Sequence, residues 1–390
     1  MNTDSPSVDD RLSVWPVHGI PEVETGADLA GLLVRGLDAS GLTLADGDVL
    51  VVTSKIVSKA HGLRVPGGQS RRDIVRQEAV RVVAERATST GPTQIVEGRT
   101  GIVSAAAGVD ASNTGPSGEV LLLPERPDEA AAHLHADVLR RVRGVRHLGI
   151  ILSDTAGRPW RGGQTDFALG AHGLRVIDDY RGRVDADGRD LAVTAMAVAD
   201  ELAAAADLVK RKARGVPAAL IRGANSWVIP ADDEDARSRW REGAARLIRT
   251  GPGDWFALGH VEAVRAALGH PPGSASSREI GIPSIGDEPI EVRLRRAVAL
   301  AVADSSARAH GVEAFADPTG SRVTIRLASP ADSTDPADVT DSAGSPDSYV
   351  LGRLAARLEV ALWSEDLRGT IERIPVGLIV TARAGDTTGA

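Results

Sequence analysis

Asp154 and Thr155 stand in the stretch SDTAGRPWRGGQTDFALG (153–170), and Asp110 stands in AGVDASN. These three are oxygen donors at loop-like positions, and no histidine or cysteine accompanies them. Carboxylates and a hydroxyl of this kind suit Mg2+ or Mn2+ better than zinc. Such ions complete their shells with phosphate oxygens and water, so the donors point to a phosphorylated substrate and make Asp154 a candidate catalytic residue. Arg158 and Arg161 are placed to clamp a carboxylate or phosphate through paired N–H donors. Gln164 and Asp166 can hydrogen-bond a substrate, Gly157, Gly162 and Gly163 can let the backbone approach a ligand, and Trp160 reads as packing. Spacing alone leaves ordinary structural turns open as the alternative.

A second signal is compositional. Of 45 basic residues only four are lysines, Lys55 and Lys59 in TSKIVSKAHG and Lys210 and Lys212 in LVKRKARG. A chain that otherwise uses arginine can keep lysine where a compact ammonium meets phosphate; chance clustering is the plain alternative.

Other motifs fail. No lysine follows a glycine, so there is no P-loop, and GPGDWF (251–256) lacks the third glycine of a dinucleotide fingerprint. DADGRD (185–190) places Met196 where a calcium loop needs its glutamate. DTAG lacks the glycine that an aspartic protease carries after Asp-Thr. The histidines have no metal-ligand spacing, and His133 and His135 read as a helix surface.

The elements that must carry these residues read as α+β, with an α/β-like mixture of strands and helices. Val49 to Thr53 is a strand, with Ser54 as the cap of the polar segment after it. RRDIVRQEAVRVVAER (71–86) has helical spacing. QIVEGRTGIVSAAAG reads as strand, turn and strand, 127–144 as a helix, and LGIIL (148–152) as a strand delivering a polar loop. LAVTAMAVADELAAAAD (191–207) and 231–249 read as helices, and GVPAALIRG as a strand. The expected organisation is a domain over 1–255, a helical connector and Pro/Gly/Ser-rich linker over 256–285, and a small α+β domain over 286–390 with a disordered acidic loop near 329–347.

At 390 residues, 42% hydrophobic and 25% charged, the chain has enough apolar content for sizeable cores. There is no cysteine, which excludes disulfides, thiol nucleophiles and Cys-ligated zinc. A net charge of -8 argues against general nucleic-acid binding. The polar N-terminus and the lack of a window of roughly eighteen apolar residues predict a cytoplasmic protein with no membrane partner.

The chain resembles the coenzyme F420-0:L-glutamate ligases, including the N-terminal domain of their two-domain actinobacterial form. The likeness rests on IPEV (20–23), DVLVVTSKIVSKAHG (48–62), VEGRTGIVSAAAGVDASNTG (96–115), LGIILSDTAGRPWRGGQTDFALG (148–170), ADELAAAADLVKRKARGVPAALIRG (199–223) and DWFALGHVEAVRAALG (254–269). The resemblance implies a family-specific γ-glutamyl ligase fold, an intertwined homodimer, and GTP-dependent addition of γ-linked L-glutamate to F420-0 through an acyl phosphate. It implies two divalent cations, Mg2+ or Mn2+, on Asp110, Asp154 and Thr155, with K+ as a further cation. It implies GTP contacts from Ile20, Pro21, Glu22, Val23, Ser54, Lys59 and Asn113, and a segment over 208–215, holding Lys210 and Lys212, that closes over the nucleotide. Two departures stand out. Arg211 occupies a position where the family usually has glycine, and 286–390 is too short for the flavin-binding nitroreductase-like domain of the two-domain members. Two other readings remain beside the ligase: a non-catalytic nucleotide-binding or assembly subunit, and a flavin-dependent redox protein acting through the C-terminal domain.

Overall fold

The computed structural model describes residues 11–111, 119–230, 233, 243–328 and 346–385. Asn113, most of the helix expected over 231–249 and the acidic stretch 329–345 lie outside the described residues. By its internal contacts the chain divides into two units, 1–80 with 97–254, and 81–96 with 255–390. Among the described residues no helix is long and apolar enough to cross a membrane.

The first unit is built on a five-stranded sheet in the order Ser13–Val17, Ala218–Arg222, Asp48–Thr53, Leu148–Arg158, Arg161–His172. Asp48–Thr53 and Leu148–Arg158 run parallel, and every other neighbouring pair is antiparallel. DVLVVT and LGIIL are continuous apolar runs because the sheet is covered on both faces. Leu50, Val52, Ile150, Leu152 and Leu220 join a core with helices Leu29–Ala39, Ser54–Ala60 and Pro127–Leu139. Val49, Val51, Ile151, Ala219 and Ile221 join a second core with helix Val198–Lys210. The two-residue alternation of a strand divides the same sequence between the two cores. Each large aliphatic side chain so buried contributes about 1.5–3 kcal/mol.

The second unit has a four-stranded antiparallel sheet, Val312–Ala316, Arg322–Leu327, Gly377–Ala384 and Leu367–Ile374 in spatial order. Helices Ile290–Val302 and Pro346–Ser364 share its core through Leu294, Leu300, Leu354 and Leu358, with Ile325 and Val380 from the strands. Arg296 is held between Glu288 (2.6 Å) and Glu365 (2.7 Å). Residues 81–96 belong to this unit, and Glu85 is buried there, its carboxylate accepting from Ser277 Oγ at 2.9 Å and Gly273 N–H at 3.1 Å.

Several expected elements are corrected. The helix expected over 71–86 ends at Glu78 and becomes strand Ala79–Thr88. Val80, Val82 and Val83 carry β-branched side chains that favour the strand, and tertiary packing overrides the helical spacing. The helix expected from 191 begins at Val198. The Pro/Gly/Ser-rich stretch expected as linker contains helix Ala275–Ile280, capped by the Ser274 hydroxyl accepting from Ser277 N–H. The cap of helix Ser54–Ala60 is Thr53, without a side-chain bond, and Ser54 is the first helical residue, buried.

Candidate active site

The sheet brings four chain segments to one end. Thr53 pairs with Ser153 at the last step of the parallel register, its carboxyl end; the first strand ends there, while the second runs on into a hairpin, so Lys55 and Asp154 both follow that last paired step. Ligands of open α/β sheets collect at such ends. Val17 pairs with Ala218, which brings Ile20–Val23 to the same edge, and Pro217 O accepts from Thr53 N–H at 2.8 Å, which brings in the segment before Ala218. The result is a cavity of about 430 Å³ lined by Ile20, Pro21, Glu22, Val23, Lys55, Lys59, Asp110, Asp154, Thr155, Asp166, Asp207, and Lys210 through Lys212 among others. That volume suits a small-molecule site.

SDTAGRPWRGGQTDFALG is a β-hairpin, whereas the sequence suggests a loop. Leu148–Arg158 turns at Pro159 and Trp160 into Arg161–His172, with Thr155 opposite Asp166 and a bulge between Leu152 and Ser153. Ser153 and Thr155, two apart on one strand, present hydroxyls to the same face. Both donate to Asp166, Ser153 Oγ at 2.9 Å to Oδ2 and Thr155 Oγ1 at 2.6 Å to Oδ1. Lys210, on the last turn of helix Val198–Lys210, donates to Asp166 Oδ2 and Ser153 Oγ, each at 2.6 Å. Ser153, Asp166 and Lys210 are all buried. A buried ammonium and carboxylate are tolerable because their hydrogen bonds are satisfied.

The same cavity carries further charged side chains. Lys55 Nζ lies 2.7 Å from Asp110 Oδ2. Lys59, also buried, pairs with the exposed Glu22. Lys55 and Lys59, four residues apart, occupy one face of their helix. Burial pushes the Asp154 carboxyl up to about 6; the Thr155 backbone N–H opposes this, repulsion from Asp110 and Asp166 adds to it, and Lys55 opposes it. Burial and the charge of Asp166 likewise raise Asp207, against Lys210 and Lys212. Among the described residues no group of three or more His, Cys, Asp or Glu is close enough to hold a metal ion. Asp110, Asp154 and Thr155 nonetheless face one cavity as hard oxygen donors. Crowded carboxylates of this kind fit a divalent ion whose remaining ligands come from phosphate and water.

A model of the F420-0:gamma-glutamyl ligase family matches residues 19–223. The chain belongs to this family. It is 39% identical over 231 residues to the coenzyme F420:L-glutamate ligase of Halobacterium salinarum, covering 54% of this chain and 87% of that protein. The protein of the same description in Haloarcula marismortui is 40% identical over 231 residues, again 54% and 87% of the two chains. Its counterpart in Halorubrum lacusprofundi is 33% identical over 264 residues, 63% of this chain and 98% of that one. The γ-glutamyl ligase match spans every strand of the five-stranded sheet except Ser13–Val17, and all the cavity residues.

Of the residues singled out from sequence, Ile20–Val23, Lys59, Asp110, Asp154, Thr155, Asp166, Lys210 and Lys212 line the cavity of this ligase-family fold. Ser54 is buried beside it, outside the lining. Arg158 and Arg161 are exposed at the tip of the hairpin, and Gln164 is exposed on its return strand, where its Oε1 accepts from Lys212 Nζ at 3.4 Å. Trp160 does not pack into a core; it is 83% exposed. At Gly157, Gly162 and Gly163 an added Cβ would meet nothing within 4 Å, and only Gly163, with φ +83°, needs its glycine conformation. The close approach is at Gly170, where a Cβ would come within 2.4 Å of the Pro127 backbone. Arg211, singled out within the 208–215 segment, also lines the cavity, and sequence reasoning misses Asp207, which lines it too. Asp207 precedes Lys210 by one helical turn, and that spacing is the signal that could have found it.

Proposed function

We propose that this chain attaches L-glutamate by a γ-linkage to coenzyme F420-0, consuming GTP with a divalent cation and passing through an acyl phosphate. Family membership supports the ligase reaction. The observation that carries the finer reading is the meeting, in one cavity, of Lys55, Lys59, Lys210 and Lys212 with Asp110, Asp154 and Thr155. A terminal carboxylate of the precursor attacks the γ-phosphorus of GTP, the bond to the GDP oxygen breaks, and the acyl phosphate forms. The glutamate amine then displaces phosphate.

In this reading Ile20–Val23 and Val216–Pro217 offer apolar and backbone surface to the nucleotide. Lys59 exchanges Glu22 for a phosphate oxygen, and Lys55 and Lys212 add positive charge where negative charge accumulates. Mg2+ or Mn2+ held by Asp110, Asp154 and Thr155 would offset charge on the transferring phosphoryl oxygens. Lys210 positions Asp166 and the hairpin. Arg158 and Arg161, at the hairpin tip, serve as carboxylate or phosphate clamps. Dimerisation, which the resemblance implies, belongs to the same proposal.

The test is incubation of the full chain with GTP, Mn2+, L-glutamate and F420-0, followed by product mass. Growth in steps of one glutamyl residue, with GDP and phosphate released, is the expected result. Nucleotide binding without mass gain would instead assign the chain to the non-catalytic reading.

A further inference from the structure

We propose that Asp207 is the proton acceptor that frees the attacking amine of the amino-acid substrate. This rests on the ligase reading above. The substrate amine arrives protonated and must lose a proton before its lone pair can attack. Side chains able to take that proton are few here: among the described residues no histidine, cysteine or tyrosine lines the cavity.

Among the described residues five carboxylates line the cavity, those of Glu22, Asp110, Asp154, Asp166 and Asp207. Four are engaged. Glu22 is paired with Lys59 and Asp110 with Lys55. Asp166 accepts from Ser153, Thr155 and Lys210. Asp154 is the proposed cation ligand. The Asp207 carboxylate alone among the five has neither a role in this set nor a hydrogen bond or ion pair among the described residues.

Its surroundings suit the task. Asp207 is half-buried on the helix Val198–Lys210, which keeps it at a fixed place on the wall. Asp166 faces it from the hairpin, and Lys210 and Lys212 from its own helix and the segment after it. Burial first, and then the Asp166 charge, strengthen its hold on a proton, while the two lysines weaken it. A carboxylate so balanced is a better base than a solvated one.

Atoms and electrons balance in this step. Asp207 takes one proton from the substrate ammonium, and the nitrogen lone pair forms the bond to the acyl carbon. The carbon–oxygen bond to phosphate breaks, its electron pair leaving on phosphate, and the second nitrogen proton departs with it as hydrogen phosphate. The remaining N–H is the amide's.

The experiment compares two nucleophiles on wild type, Asp207→Asn and Asp207→Glu, with GTP, Mn2+ and F420-0 present. Hydroxylamine, neutral near pH 7, traps an acyl phosphate without needing a base, whereas glutamate needs one. Asp207→Asn is expected to keep hydroxamate formation within about threefold of wild type and to lose glutamate ligation by about a hundredfold or more. Its residual ligation should climb with pH as free amine becomes available, and Asp207→Glu should recover part of the rate. Ligation within threefold of wild type in Asp207→Asn, or equal loss with both nucleophiles, overturns the assignment. Failure of the wild type itself to form hydroxamate overturns the acyl-phosphate reading instead. Thermal unfolding of both variants separates loss of fold, which would also remove hydroxamate formation, from loss of the base.

Discussion

Lys55 Nζ lies 2.7 Å from Asp110 Oδ2, so a lysine occupies the neighbourhood of a carboxylate proposed to hold a divalent cation. The two compete for the same oxygen. Lys55→Met should therefore tighten Mn2+ binding severalfold in the absence of nucleotide, while weakening GTP binding by about tenfold through the lost charge. Calorimetric titration of each ligand checks both signs. The pair is partly exposed, so the stability change should stay within about 1 kcal/mol.

Asp154 links the site to pH. Its carboxyl titrates at about 6 in the folded chain, above its ordinary value. Between roughly pH 4 and 6 the unfolded chain gives up this proton before the folded one, so the group's contribution to stability falls as pH rises and stays low above 6. Asp154→Asn removes that loss. In EDTA the variant should unfold a few degrees above wild type at pH 7.5, the advantage shrinking towards pH 4. Mn2+ should raise the melting temperature of wild type more than that of the variant, and the variant should not ligate glutamate. A variant less stable than wild type at pH 7.5 would contradict the account.

Lys210 and Asp166 are a buried pair sharing the Ser153 hydroxyl. Removing one partner strands the other charge, so Lys210→Met and Asp166→Leu should each cost about 3–5 kcal/mol. The double variant should cost clearly less than the sum. A urea-unfolding cycle with no coupling would show that the charges are not held together in solution.

Arg211 comes directly after helix Val198–Lys210 with φ 52° and ψ 119°. Glycine adopts that conformation without a Cβ penalty, at the cost of a more flexible unfolded chain. The strain released by Arg211→Gly should exceed that cost, giving a net gain of about 1 kcal/mol. Thermal unfolding of the two proteins measures it. A loss of stability would mean that the arginine side chain contributes more than its backbone gives up.

The hairpin tip can be tested apart from the cavity. Arg158 and Arg161 are exposed, so replacing both with alanine should leave the melting temperature unchanged. As substrate clamps, they should raise the KM for F420-0 or glutamate by about tenfold or more when removed. Unchanged kinetics would take them out of the site.

Asp110, Asp154, Thr155 and the four lysines are legible in the sequence because unusual residue types stand out against their surroundings and because short motifs resemble those of a known family. The strands DVLVVT and LGIIL are legible because burial on both faces leaves continuous apolar runs. What sequence hides is the second half of each pairing. Asp166 looks free to meet substrate, but it lies opposite Thr155 and over Lys210, contacts made across 11 and 44 residues of chain. Hairpin geometry is hidden by the glycines of GRPWRGG, which also describe a loop. Val80 to Val83 mislead because apolar residues at helical spacing also satisfy a strand when neighbours bury Val83 and Glu85.

The assignment of residues 81–96 to the second unit bears on how the protein comes into being. A ribosome delivers them long before anything from Trp255 onward, so a valine-rich strand must wait, without its eventual cover, while the first unit is synthesised. Such strands are where newly made chains associate wrongly. Cutting the gene after residue 254 would make that temporary exposure permanent, so loss of solubility is the expected outcome of deleting the C-terminal part, whatever that part contributes to catalysis.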